Sequence, residues 1–191
     1  HRVAVVFATG GEHGTVPEDL APGETVAQRR RAEAQASARV LGIARVAWLG
    51  YHDSGMTGWP QNTDPLSFVQ ASLDQAGGRL ADILDEEDAD VLVTYDWHGN
   101  YGHPDHVRAH ELAAVAAEAA GLPLVEVASD PDTDGFEWFD LSDRKQTVIQ
   151  ALRCYATQLT VVDDHIVHVG GQHQALPLRA GLRVKADRVI P

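Results

Sequence analysis

The sequence predicts an α/β fold, a three-layer sandwich with helices packed on a mostly parallel sheet. Three stretches carry that reading. Val3 to Thr9 is a continuous apolar run, as expected of a strand buried on both faces. Glu24 to Leu41 reads as a helix and is followed by the short strand Val46 to Leu49. The apolar run from Val91 to Asp96 then passes through a short loop into an Ala-rich stretch that ends at Ala120, giving strand, loop and helix in succession.

Taken in order, the first strand ends in Gly10-Gly11-Glu12-His13-Gly14, a flexible turn. It does not have the G-x-G-x-x-G spacing of a phosphate loop, and Glu12 would repel an anion. Thr15 to Gly23 carries two prolines and two acids and is expected to be a loop able to move over a site. The helix from Glu24 is stopped by Gly42, with Val26, Ala36, Val40 and Leu41 expected toward the core. It holds the chain's basic run, Arg29-Arg30-Arg31, expected to pair with Glu24 and Glu33 on a solvated face. Asp64-Pro65 is expected to cap a helix reaching about Leu84, with Gly77-Gly78 a candidate break. The acids from Asp85 to Asp90 read as a solvated connection.

Beyond Gly121, Leu124 to Val127 is a short strand and Ser142 is expected to cap a helix running to about Leu159. Asp130 to Gly135 mimics the start of an EF-hand loop, but position twelve is Leu141 rather than a glutamate, which argues against calcium. Strand-like runs follow at Thr160 to Val162, Ile166 to Val169 and Arg183 to Val189. His165 and His168, three apart on a strand, point to opposite faces and cannot share a metal. His173 lies in a Gly-rich loop and is given no role. With no long repeat and no low-complexity linker, residues 1–191 read as a single domain.

The chemistry concentrates in the loop after Asp96. Pro104 has its φ preset for the first helical position, so the helix is expected to begin there with His103 as its cap. His106 then lies in the first turn and His110 one turn later on the same face. The carboxyl end of a strand in a parallel sheet is where loop N–H groups and helix N-termini converge on a ligand. Three imidazoles and the Asp105 carboxylate at such a place suggest a metal site or a proton-transfer site. The partly positive helix terminus favours neutral imidazole, the form a metal needs. Asp53, in the loop after the second strand, carries a carboxylate able to accept hydrogen bonds from two neighbouring hydroxyls.

The stretch Tyr95-Asp-Trp-His-Gly-Asn-Tyr-Gly-His-Pro-Asp-His106 resembles the second signature of the LmbE/PIG-L family of zinc-dependent N-acetylglucosaminyl deacetylases. The resemblance extends upstream through Ala8 to Gly14, Arg30 to Gly42 and Leu49 to Met56, and covers roughly residues 3 to 125. It is nearest to the actinobacterial branch acting on mycothiol and its precursor. It implies a Rossmann-like sandwich that hydrolyses the N-acetyl amide of an aminosugar, with Zn2+ as cofactor. By resemblance, His106 is a zinc ligand and His103 stabilises the tetrahedral oxyanion, with Asp105 orienting it and raising its pKa. Tyr101 donates a second hydrogen bond to that oxyanion, while Glu12, Arg30 and Asp53 contact the substrate. Lys145, Tyr155 and Gln158 roughly follow the family's late helix.

In one respect the sequence departs from the family. Its members open with a strand ending in His-Pro-Asp-Asp-Glu, which supplies a His and an Asp ligand and the base Asp, and no such motif occurs here. The first strand is therefore expected to be missing from this sequence, with His13, His52 and His98 the nearby histidines that could substitute. That strand is expected near the centre of the sheet. A chain without it should aggregate or recruit a partner, a second copy making a homo-oligomer.

Composition narrows the partners. A net charge of −13 and a pI near 5.0 argue against nucleic acid or an anionic membrane and for a small-molecule substrate. The single cysteine, Cys154, excludes an internal disulfide and a multi-Cys metal site, and is compatible with a cytoplasmic protein. No run reaches the ~20 apolar residues needed to cross a bilayer. The rival enzyme reading is a mycothiol S-conjugate amidase, distinguished by release of a mercapturic acid instead of acetate. From another class comes a non-catalytic remnant that binds a sugar or a partner, distinguished by the absence of an upstream His-Pro-Asp-Asp. Nucleotide binding lacks its glycine fingerprint.

Overall fold

The structure, a computed structural model, describes residues 1–131 and 133–185. The chain alternates strand and helix through β1 (Ala4–Thr9), α1 (Val26–Leu41), β2 (Arg45–Tyr51), α2 (Leu73–Glu87), β3 (Leu92–Tyr95), α3 (Pro104–Ala120) and β4 (Leu124–Val127). It continues through β5 (Glu137–Asp140), α4 (Lys145–Arg153), β6 (Leu159–Val162), β7 (His165–His168), β8 (His173–Ala175) and β9 (Arg179–Val184). This is an α/β fold, as expected, but its strands form three sheets. β1 pairs with β2 in parallel, and β3 pairs with β4 in parallel. β9 then adds antiparallel to β4 and to β5, and β6, β7 and β8 form an antiparallel meander. The expected parallel pairing is thus confined to two pairs that share no ladder among the described residues. Val91 and Val93, beside and within β3, remain 44% and 54% exposed.

Local signals account for the helix ends. Thr25 caps α1 through a capping box: its hydroxyl accepts the Gln28 N–H at 3.2 Å and the Gln28 side chain accepts the Thr25 N–H at 2.8 Å. Gly42, at φ 70°, closes it in the left-handed conformation. The buried face of α1 is Val26, Glu33, Ala34, Ser37 and Ala38, whereas Leu41 is exposed. Of the expected core face Val26 is buried, Ala36 and Val40 are half-buried and Leu41 is exposed, so the buried stripe is rotated toward the smaller side chains. Small residues at helical intervals let α1 lie close to its neighbours.

The helix expected from Asp64-Pro65 begins later, at Leu73. Asp64 accepts the Leu66 N–H at 3.0 Å and lies 3.1 Å from His52 Nδ1, while Ser67 bridges His52. That holds residues 64–67 alongside the end of β2 and delays the helix. Gly77 and Gly78 do not break α2, because Ala76, Leu80 and Leu84 anchor it on one buried face. Those three pack with Leu49, the fully buried Phe68 and Leu112 in the main core, between α2, β2 and α3.

In the C-terminal third, β5 had no counterpart in the sequence reading, and His173 lies in β8 rather than a loop. Ser142 opens a short 3-10 turn and α4 ends at Arg153, well before Leu159. The expected Arg183 to Val189 strand is met by β9 as far as Val184, and residues 186–189 lie outside those described, as does Asp132 of the EF-hand-like stretch.

Candidate active site

His103 and Pro104 occupy the cap and the first position of α3, as their covalent geometry dictates. The His103 Nδ1 accepts the Asp105 main-chain N–H at 3.1 Å, which assigns the ring's proton to Nε2. It is thus the main-chain N–H of Asp105 that holds the His103 ring in this structure. The carboxylate turns away, and its Oδ2 accepts the Ser54 N–H at 3.1 Å. Oδ1 is buried with no hydrogen-bond partner. Burial pushes the Asp105 carboxyl above its ordinary range, against the pull of the Ser54 hydrogen bond.

His106 is enclosed by rings. Tyr95, the last residue of β3, stacks on it with centroids 4.5 Å apart, and His103 lies 5.0 Å away. Tyr101 meets His106 edge-on at 5.4 Å and His103 at 5.9 Å. The His106 Nδ1 lies 3.3 Å from the Gly99 carbonyl, so Nδ1 carries the proton and the Nε2 lone pair is left for a ligand. Gly99 is required there: its φ is +66°, and a Cβ would lie 2.7 Å from the Val107 nitrogen. Burial, with the neighbouring His103 adding to it, pushes the His106 imidazole down to about 4, and it is neutral at pH 7.

A second line of contacts ties this cluster to the turn after β1. Ser54, fully buried, is followed by Gly55, whose N–H donates to Asp53 Oδ1 at 2.8 Å. Asp53 Oδ2 accepts the His13 N–H at 3.3 Å, and the Asp53 N–H donates to Glu12 Oε1 at 2.8 Å. Asp53 is 8% exposed and both oxygens already serve the main chain, so only its remaining lone pairs face a ligand. Arg30 lies under the same turn, where a Cβ on Gly14 would fall 1.9 Å from its Nη2. The three arginines expected to share one solvated face separate. Arg29 binds Glu24 and Asp19, which clamps the 15–23 loop, and Arg31 covers the Trp48 ring. Glu33 pairs with Thr157 instead of an arginine.

His110 leaves the cluster, its Nδ1 held 2.9 Å from the Tyr95 carbonyl in the core. Two of the substitute histidines are also engaged, His52 beside Asp64 and His98 with the Asn100 carbonyl. Among the described residues no group of three or more His, Cys, Asp or Glu is placed to hold a metal ion. The donor set therefore fits zinc in part: one neutral imidazole with a free nitrogen and a fixed tautomer, near a buried carboxylate oxygen without a partner. Tyr95, Ser54 and Ser129 were missed from the sequence. Tyr95 could have been found as the last residue of the signature strand, whereas the serines carry no local signal.

No helix among the described residues is long and apolar enough to cross a membrane. The chain is similar to a 1D-myo-inositol 2-acetamido-2-deoxy-alpha-D-glucopyranoside deacetylase of Rhodococcus erythropolis, 37% identical over 147 residues, 71% of this chain and 50% of the relative. A protein of the same description from Actinosynnema mirum is 33% identical over 92% of this chain and 76% of its own. The chain thus spans about half the length of several curated relatives it matches. Among solved structures, N,N'-diacetylchitobiose deacetylase of Pyrococcus horikoshii superposes with a TM-score of 0.62 at 26% identity, over 85% of this chain and 61% of that one. The family model described as PIG-L, GlcNAc-PI de-N-acetylase, matches residues 1–117, and the chain belongs to that family.

Proposed function

We propose that these residues form part of a zinc-dependent hydrolase that removes the N-acetyl group from a GlcNAc-containing glycoside. The observation that carries this is His106, kept neutral by burial with one nitrogen anchored and the other free, beside a second imidazole whose Nε2 bears the proton. His106 is one ligand; a His and an Asp ligand and the base Asp come from outside the described residues. When bound, zinc supplies Lewis-acid polarisation of the amide carbonyl. His103 donates from Nε2 to the oxyanion that develops on that carbonyl, and its aim is fixed by the Asp105 N–H. Tyr101 donates the second hydrogen bond. Glu12, Arg30 and Asp53 read the sugar, since they are brought to the turn that borders the two imidazoles. We take β1–β2 and β3–β4 as flanks of one Rossmann-like sheet in a single domain.

The test uses the natural protein that contains these residues, assayed for acetate release from an N-acetylglucosaminyl inositol. His106→Ala should lose zinc and activity, and His103→Ala should keep zinc and lose ~100-fold or more of kcat. Zinc and activity retained in both variants would remove the assignment.

A further inference from the structure

The loop that carries Tyr101 and His103 is closed by a ring of hydrogen bonds that the chemistry above does not use. Asp96, at the end of β3, is 3% exposed. Its Oδ2 accepts the Ser129 N–H at 2.7 Å, and its Oδ1 accepts both the Ser129 hydroxyl and the His98 N–H, the latter at 3.1 Å. An ionised carboxylate only accepts, so the one hydroxyl proton of Ser129 is committed to Asp96. The Ser129 Oγ is then free to accept, and it takes the Asn100 N–H at 2.7 Å. From the other side the His98 Nδ1 donates to the Asn100 carbonyl at 2.6 Å. Both main-chain polar groups of Asn100 are therefore held, and both holders are fastened to the same buried carboxylate.

Asn100 needs such holding. Its φ of 63° and ψ of −108° place it where a residue with a Cβ stays only if its surroundings fix it. Tyr101 follows directly, and His103 two residues later caps α3, so the kink at Asn100 sets the direction from which both side chains reach the cluster around His106. Ser129 comes from the loop after β4, beyond residues 1–117, and packs from a different part of the chain.

We propose that Ser129 is a positioning residue, holding Asn100 in its kinked conformation so that Tyr101 and His103 are aimed at the reacting amide. The catalytic half of this statement rests on the deacetylase reading; the clamp on Asn100 does not.

The experiment compares Ser129→Ala and Ser129→Thr in the natural protein, with two readouts. The first is amide hydrogen exchange at Asn100 and Tyr101. Ser129→Ala should speed it about 10-fold or more while core amides and zinc content are unchanged, and Ser129→Thr, which keeps the hydroxyl, should stay near the wild-type rate. The second is acetate release. Ser129→Ala should lower kcat about 10- to 100-fold with KM moved less than about 3-fold, as a misaimed donor does, and Ser129→Thr should recover most of it. Ser129→Cys, a weaker donor and acceptor of similar size, should fall between them and serves if Ser129→Ala does not fold. Unchanged exchange at Asn100 in Ser129→Ala overturns the clamp whatever the enzyme does. Faster exchange with undiminished kcat overturns the aiming role. A wild-type protein that releases no acetate defeats the functional reading instead, and the exchange rates then decide the clamp alone.

Discussion

The ring of Tyr95 lies 4.5 Å from that of His106 and within 10° of parallel, so the last side chain of β3 forms the floor on which the candidate metal ligand rests. The stack removes one face of the imidazole from water and contributes to the burial that keeps it neutral. Tyr95→Ala should expose His106 and return its titration toward the ordinary value of 6.5. Zinc affinity, measured by chelator competition, should then fall up to about 4-fold at pH 6 and hardly at all at pH 8, where the imidazole is neutral in either environment.

His106 also makes stability depend on pH. Its folded value, about 4, lies below its ordinary 6.5, so between those two values the unfolded chain binds more protons than the folded one. Stability of the metal-free protein should fall as pH drops through that window and level off below it. Urea denaturation at intervals of pH checks this, and His106→Gln should remove the His106 part of the slope.

Gly14 leaves room for Arg30 that no other residue leaves. A Cβ there would overlap the guanidinium, so Gly14→Ala should push Arg30 out of the turn next to Glu12 and Asp53. The expected outcome is a KM for the aminosugar raised about 10-fold with kcat less affected, matched by Arg30→Ala. An unchanged KM in both would remove Arg30 from the substrate site.

Far from the imidazoles, α1 is stapled to the loop after α4. The Glu33 carboxylate accepts the Thr157 N–H at 2.8 Å and its hydroxyl at 2.6 Å, and both residues are buried. Glu33→Ala leaves two donors unpaired and should cost about 2–3 kcal/mol of stability by urea denaturation.

On the proposed assignment the described residues bring one zinc ligand, His106, and among them no group of three or more His, Cys, Asp or Glu is placed to hold a metal ion. The 191-residue chain alone should therefore hold zinc substoichiometrically and release no acetate, measured by metal analysis after gel filtration and by acetate assay. Deacetylase activity in a chain of that verified mass would sink the division of ligands proposed above.

Much of the local architecture was legible beforehand. Pro104 and His103 marked the start of α3, and Gly42 and Gly121 marked helix ends, because caps and turns depend on residues adjacent in the chain. The cluster of His103, His106 and Tyr101 was legible for the same reason, lying within six residues of one another. Where the reading failed, a distant partner had intervened: His52 and Ser67 delaying α2, β9 turning the sheet around β4 antiparallel, and Thr157 taking Glu33 from the arginines.

By itself the sequence determined the order of strands and helices from β1 to β4, the capped loop that presents two imidazoles, and the family to which that loop belongs. Only the tertiary structure decided the electrostatic state of those groups: His106 neutral between Tyr95 and the Gly99 carbonyl, His103 aimed by a main-chain N–H, and Asn100 held by Ser129. The physical reason is that a backbone conformation answers to its neighbours in the chain. The hydrogen-bond partner and the burial of a polar side chain answer to whatever packing brings within about 3 Å of it.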